Sequence, residues 1–136
     1  MGSIYSKIKA IEADKEGIEH NEDMIGFYFA SSKVEMTLDD TANLKQCMID
    51  HKVIGEDDNI FLIKEDERTA DIKWVCNDFR ISDDLTEEFV KVINEADAYN
   101  KITADGSYER SGYLWSTCRL ICKDDEYVLL DFYICD

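Results

Sequence analysis

Proline is absent from the chain, and glycine occurs only six times in 136 residues. Without proline there is no rigid linker and no proline-rich docking segment. Six scattered glycines leave no glycine-rich loop of the kind that cradles a phosphate ahead of a helix. Histidine is scarcer still: His20 and His51 are the only two, and neither is spaced with a cysteine pair as a zinc site requires. No apolar run approaches the ~18 residues a membrane-spanning helix needs. Positive charge is also thin, with 15 Lys and Arg against 31 Asp and Glu and a net charge of −16. A surface with that balance repels nucleic acid and anionic lipid. It attracts basic surfaces and speeds encounter with them. Plain solubility is the bland alternative.

What the chain does have is a core. Apolar residues make up 45% and aromatics 11%, too much for a disordered acidic tail. A chain of this length fits one domain, spanning 1–136. It buries roughly two thirds of its unfolded surface. The acid is therefore carried on a folded object.

The five cysteines, Cys47, Cys76, Cys118, Cys122 and Cys135, are odd in number and lie within apolar runs. With no secretory signal pattern at the start, they read as free core thiols of a cytoplasmic protein rather than a disulfide framework. Cys118 and Cys122 lack the tight Cys-x-x-Cys spacing of a ligand pair. No metal and no cofactor is expected.

Hydrophobic periodicity outlines the elements. Ile4, Ile8 and Ile11 predict a short N-terminal helix ending near Gly17. Residues Met24 to Ala30 (MIGFYFA) read as a buried strand, with Lys33 to Thr37 pairing back on it. Asp39 or Asp40 caps a helix whose face carries Leu44, Cys47, Met48 and His51. Strands are expected over Asn59 to Lys64 and over Asp71 to Phe79, flanking a charged bend at residues 65–68. In the second of these, Ile72, Trp74 and Cys76 alternate with Lys73, Val75 and Asn77.

The strongest helix pattern runs from about Asp83 to Asn100, with Leu85, Phe89, Val92, Ile93, Ala96 and Tyr99 in one stripe. Asp84 and Glu87 form a capping-box-like start. Tyr113 to Cys122 and Tyr127 to Cys135 predict a C-terminal hairpin. Its last strand is apolar on nearly both faces and so belongs at the centre of a sheet. Asp131 interrupts that strand, and Arg119 is its expected partner. The fold class is α+β, a single domain with a mostly antiparallel sheet of about five to six strands. Two to three helices pack on it, and a C-terminal β-hairpin ends it.

Motifs for chemistry are weak. Cys47 and His51 fall on one helix face, but nothing nearby holds a third group or an oxyanion. Asp105-Gly106 resembles the centre of a calcium loop, yet Lys101 and Gly112 stand where the first and last ligands belong. With 31 acids, any carboxylate pair is uninformative as a glycosidase signature.

The acid itself is uneven. Residues 35–71 hold 11 acids against four bases, residues 83–97 six against one, and five acids follow Lys123 with no base. By contrast, residues 101–123 hold four bases and two acids. The tight clusters are Glu56-Asp57-Asp58, Glu65-Asp66-Glu67, Asp83-Asp84 with Glu87-Glu88, and Asp124-Asp125-Glu126. All fall in predicted loops or at a helix start, where side chains can project to a partner.

The candidate partner-binding residues are therefore Glu56, Asp57, Asp58, Glu65, Asp66, Glu67, Asp84, Glu87, Glu88, Asp124, Asp125 and Glu126. Tyr108 joins them as the aromatic in the most exposed-looking connection. Trp115, Tyr113, Tyr127 and Tyr133 read first as core or sheet-face residues.

The expectation is a non-enzymatic acidic inhibitor that binds a basic protein, a nuclease or other nucleic-acid-binding protein, with nucleic-acid mimicry as its mode. The class analogy is a phage or plasmid anti-defence protein such as an anti-CRISPR. The alternatives are an immunity protein that neutralises a cognate bacterial toxin, and a small enzyme with no recognisable motif. Neither a nucleic acid nor a membrane is an expected partner.

Overall fold

The computed structural model describes residues 3–18, 20–22, 24–36, 41–106 and 113–135. Among them, helices α1 (Ile4–Glu12), α2 (Lys15–Ile18), α3 (Ala42–Asp50), α4 (Arg68–Asp78) and α5 (Asp83–Glu95) accompany six strands. These are β1 (His20–Glu22), β2 (Ile25–Val34), β3 (Asn59–Lys64), β4 (Ala98–Asp105), β5 (Tyr113–Lys123) and β6 (Glu126–Cys135). The strands form one sheet in the order β1-β2-β6-β5-β4-β3, with every neighbouring pair antiparallel. The α+β class and the C-terminal hairpin are as the sequence predicts.

The hairpin closes on Asp124 and Asp125, both with positive φ. A two-residue turn of that kind matches the right-handed twist of the flanking strands. β6 then lies between β2 and β5 and is buried on both sides. Val128, Leu130 and Phe132 face a core shared with α1, α4 and α5. Tyr127 and Leu129 face a second core under α3. Among the described residues, helices therefore cover both faces of the sheet, with α1, α2, α4 and α5 on one side and α3 on the other.

The segment 71–79 is a correction: it is helical, within α4, and not a strand. Ile72, Val75, Cys76 and Phe79 are all buried, a spacing of i, i+3, i+4, i+7 that fits one helix face. The alternation of Ile72, Trp74 and Cys76 fits a strand equally well. Packing of the helical set against α5 and the sheet decides between them, and Trp74 is turned to solvent. The strand that does pair with β3 is β4.

That strand also shortens the long helix. Ala96 takes up extended backbone at φ −69°, ψ 146°, so α5 ends at Glu95 and Tyr99 is buried from a strand. The cap of α5 is Ser82, whose Oγ accepts from the Leu85 N–H at 3.3 Å, and not Asp84. β2 runs unbroken to Val34, pairing with β6 instead of folding back on itself. Asp39 and Asp40 lie outside the described residues.

Candidate protein-binding surface

Strand register sorts the acidic clusters by end of the sheet. Lys64 pairs with Asn100, and Asn100 with Leu120, so the ends of β3 and β5 and the hairpin turn share one end. Glu65-Asp66-Glu67 and Asp124-Asp125-Glu126 are there. Asn59 pairs with Asp105 at the opposite end, which carries Glu56-Asp57-Asp58. The Asp97 N–H donates to the Cys122 carbonyl at 2.7 Å, tying the residues just after α5 to the first end. The helix start, with Asp83 and Asp84, thus points to the second. The four clusters thus divide two and two between the ends of the sheet.

Three of the predicted residues have structural work. Asp58 is buried, a correction to its expected projection from a loop. Its Oδ2 accepts from the Gly55 N–H at 3.0 Å. Gly106, at φ 131°, packs so closely that a Cβ there would overlap the Asp58 carboxylate. Glu126 accepts from the Tyr5 N–H at 2.9 Å and pairs with Lys33 at 3.6 Å. Glu65 is half-buried and pairs with Lys101 at 3.2 Å.

The others, Glu56, Asp57, Asp66, Glu67, Asp84, Glu87, Glu88, Asp124 and Asp125, are exposed. The ion pairs Asp66–Lys64 at 3.9 Å and Glu88–Lys91 at 3.5 Å are solvent-facing, so they fix these side chains weakly. Tyr108 lies outside the described residues.

Sequence reasoning missed the apolar part of this surface. Phe61 and Ile63 on β3 and Trp74 on α4 stand about half exposed, and Trp115 is 39% exposed. Trp115 keeps the regular register of β5 with Thr117 and Arg119, so strand alternation sets it on their face. There it stacks on Phe79 (centroids 4.9 Å, 18°) and meets Trp74 edge-on (5.9 Å, 76°). Phe61 and Ile63 share that sheet face through their pairing with Thr103 and Lys101. A helical reading of 71–79 is the signal that would have placed Trp74 outside.

Beneath this margin lies a buried ionic network. Arg119 sits opposite Leu130, so its side chain leaves the sheet on the face away from Asp131. Its partner is Asp71 of α4, with Nε to Oδ2 at 2.7 Å and Nη2 to Oδ1 at 3.2 Å. The Tyr99 hydroxyl also donates to Asp71, and Lys101 lies 3.7 Å away. Burial pushes the Asp71 carboxyl up, but hydrogen bonds from Arg119 and Tyr99 and the charges of Arg119 and Lys101 outweigh it. The carboxyl is held below its ordinary value. Burial, and then the hydrogen bond to Asp71, push the Tyr99 hydroxyl well up. Asp131, on the other face, accepts from the Cys118 Sγ at 3.6 Å.

The Cys47 and His51 pair gains little as a catalytic centre. The Ser32 Oγ lies 3.4 Å from His51 Nε2, and Ser32 also bonds the Cys47 thiol. Yet burial raises the Cys47 pKa, and Asp50 and Asp131 add to the rise. An activated thiol shows the opposite shift.

A groove of about 390 Å³ between α1 and α5 is lined by Ile11, Leu85, Val92 and charges of both signs. The Lys7–Glu95 ion pair, at 2.7 Å, lies along it. Among the described residues no three His, Cys, Asp or Glu side chains are placed to hold a metal ion, and no helix is long and apolar enough to cross a membrane. No family model and no curated protein sequence matches the chain.

Proposed function

We propose that the protein is a non-enzymatic inhibitor that acts in the cytoplasm by binding a basic, nucleic-acid-handling protein and excluding its nucleic acid. The observation that carries this reading is the margin around β3. There, exposed Phe61, Ile63, Trp74 and Trp115 sit between exposed acids at both ends of the strand. Aromatic side chains on rigid elements are the usual anchors of a protein interface, and the acids set the sign of the partner. β3 has six residues, so its two acidic flanks stand roughly 20 Å apart. That span suits the positive groove of a nuclease or other nucleic-acid-binding protein, whose natural ligand carries a charge about every 1.7 Å. Mimicry here means a few acids at two separated points on one edge, not a continuous track.

An anti-defence protein of the anti-CRISPR kind is the biological class this reading favours. The Trp74–Trp115 pair also suits an immunity protein docked on one cognate toxin. In that case a toxin gene lies beside this one, and binding survives high salt.

The test is affinity capture from the natural host at low and high salt, followed by competition between the captured protein's nucleic acid and this chain. The expected result is a basic partner, retained at low salt, whose nucleic acid competes with this protein. A captured partner whose nucleic-acid binding is untouched would overturn the reading.

A further inference from the structure

The two edges of the sheet are built differently. β1 is a three-residue strand of His20, Asn21 and Glu22. β3 is six residues, Asn59–Lys64, with four consecutive apolar side chains. Among the described residues, no strand pairs with its outer side. Natural proteins blunt such an edge with charge, proline or a bulge, and β3 has only Lys64 at its end.

The hydrogen-bond phase of that edge follows from one bond. The Glu65 N–H donates to the Tyr99 carbonyl at 3.1 Å. In an antiparallel ladder the bonded residues alternate, so residues 59, 61, 63 and 65 bond toward β4. Ile60, Leu62 and Lys64 therefore direct their N–H and C=O groups outward. Ile60 and Leu62 pack their side chains into the core under α3, which holds the edge in place. Phe61 and Ile63 stand exposed on the opposite face.

We propose that the partner adds a strand to the outer edge of β3, and that this strand has an apolar centre flanked by Lys or Arg at both ends. This rests on the reading of the protein as a binder of a basic partner, and it specifies the docking mode. Main-chain bonds to Ile60, Leu62 and Lys64 provide the attachment, and Phe61 and Ile63 cover the added strand's apolar side chains. Glu56 and Asp57 before β3, and Asp66 and Glu67 after it, select basic residues at the two ends. A second copy of this chain fits worse. Antiparallel pairing of β3 with itself sets residues 65–67 of one copy beside residues 56–58 of the other, acid against acid.

The test is an NMR titration of the full-length chain with the synthetic peptide Lys-Lys-Val-Thr-Val-Thr-Lys-Lys. Three controls accompany it: the peptide with Glu flanks, the peptide with alternate backbone nitrogens methylated, and the variant Lys64→Pro. Lys64 has an exposed side chain and an outward N–H, so proline there removes an edge donor while the ladder to β4 is kept. The expected result is saturable binding with shifts centred on the Ile60, Leu62 and Lys64 amides. At least a tenfold loss of affinity is expected in each control.

Several results would overturn the proposal. These are no binding, shifts centred away from β3, or equal affinity of the methylated peptide, which needs no folded variant to interpret. So would a concentration-dependent dimer in sedimentation that Lys64→Pro dissolves, since the edge would then belong to a second copy. The two readings fail separately. A basic partner that binds Lys64→Pro as tightly as the parent removes the edge proposal alone. If the peptide binds as expected but captured partners keep their nucleic acid, the inhibitor reading alone is removed.

Discussion

Phe29, Phe89 and Phe132 pack ring to ring at 4.7 to 5.8 Å beneath α1 and α5, and none is more than 2% exposed. Phe61, Trp74 and Trp115 are of the same chemical kind and lie on the same side of the sheet, but they stand 39 to 52% exposed. The difference lies in coverage. α1 and α5 lie over β2 and β6, whereas β3 at the edge projects past α4. Identical chemistry therefore serves stability in one region and is left available in the other. An exposed aromatic margin is costly to keep unless something docks on it.

Substitutions in the two regions should separate folding from binding. The largest effect is expected at the centre. Phe89→Ala should lower stability by about 3–5 kcal/mol in chemical denaturation, and the molecules that remain folded should bind the partner as before. A similar loss, about 3–5 kcal/mol, is expected of Asp71→Ala, which leaves the Arg119 charge buried without its partner.

This pair also carries a pH signature. The Asp71 carboxyl is held below its ordinary value in the folded chain. Its contribution is therefore complete above an unfolded value of about 3.9 and is lost as pH falls through the folded one. The parent should thus show a steeper acid limb below about pH 4 than Asp71→Ala, as measured by denaturation across pH.

At the margin the balance should reverse. Trp74→Ala should change stability by about 1 kcal/mol or less, and weaken partner binding by about 2 kcal/mol. The smallest effect on folding belongs to the fourfold change of Glu56, Asp57, Asp66 and Glu67 to their amides. Each should shift stability by about 0.5 kcal/mol or less. Together they should slow association at low salt by about tenfold, with little change at high salt. If Trp74→Ala destabilised the fold as much as Phe89→Ala, the distinction between the two regions would collapse.

Much of the architecture was legible because apolar spacing alone dictates it. The α5 stripe of Leu85, Phe89, Val92 and Ile93, the two-sided β6 and the Asp124–Asp125 turn all follow from local pattern. Segment 71–79 was not legible. Ile72, Trp74 and Cys76 satisfy a period of two, while Ile72, Val75, Cys76 and Phe79 satisfy a helix. Only tertiary contact with α5 and Arg119 distinguishes them.

Strand β4 was hidden for a related reason, since Tyr99 continues the helical stripe until the chain turns at Ala96. The exposed acids were readable as clusters, yet their division between two ends of the sheet depends on strand order, which no local pattern reveals. Asp58 and Glu126 resemble their neighbours in sequence and differ only in what folds against them. The aromatic margin depended on the helical phase of Trp74 and on β3 lying at the edge of the sheet.

The central claim is that a basic partner is held at an acid-flanked aromatic edge in place of nucleic acid. Its most direct measurement is the affinity of the captured partner for this protein, across salt concentration and with its nucleic acid as competitor. The account predicts a steep fall with salt, displacement by nucleic acid and a loss on Trp74→Ala. Affinity that is flat in salt and indifferent to nucleic acid would contradict it.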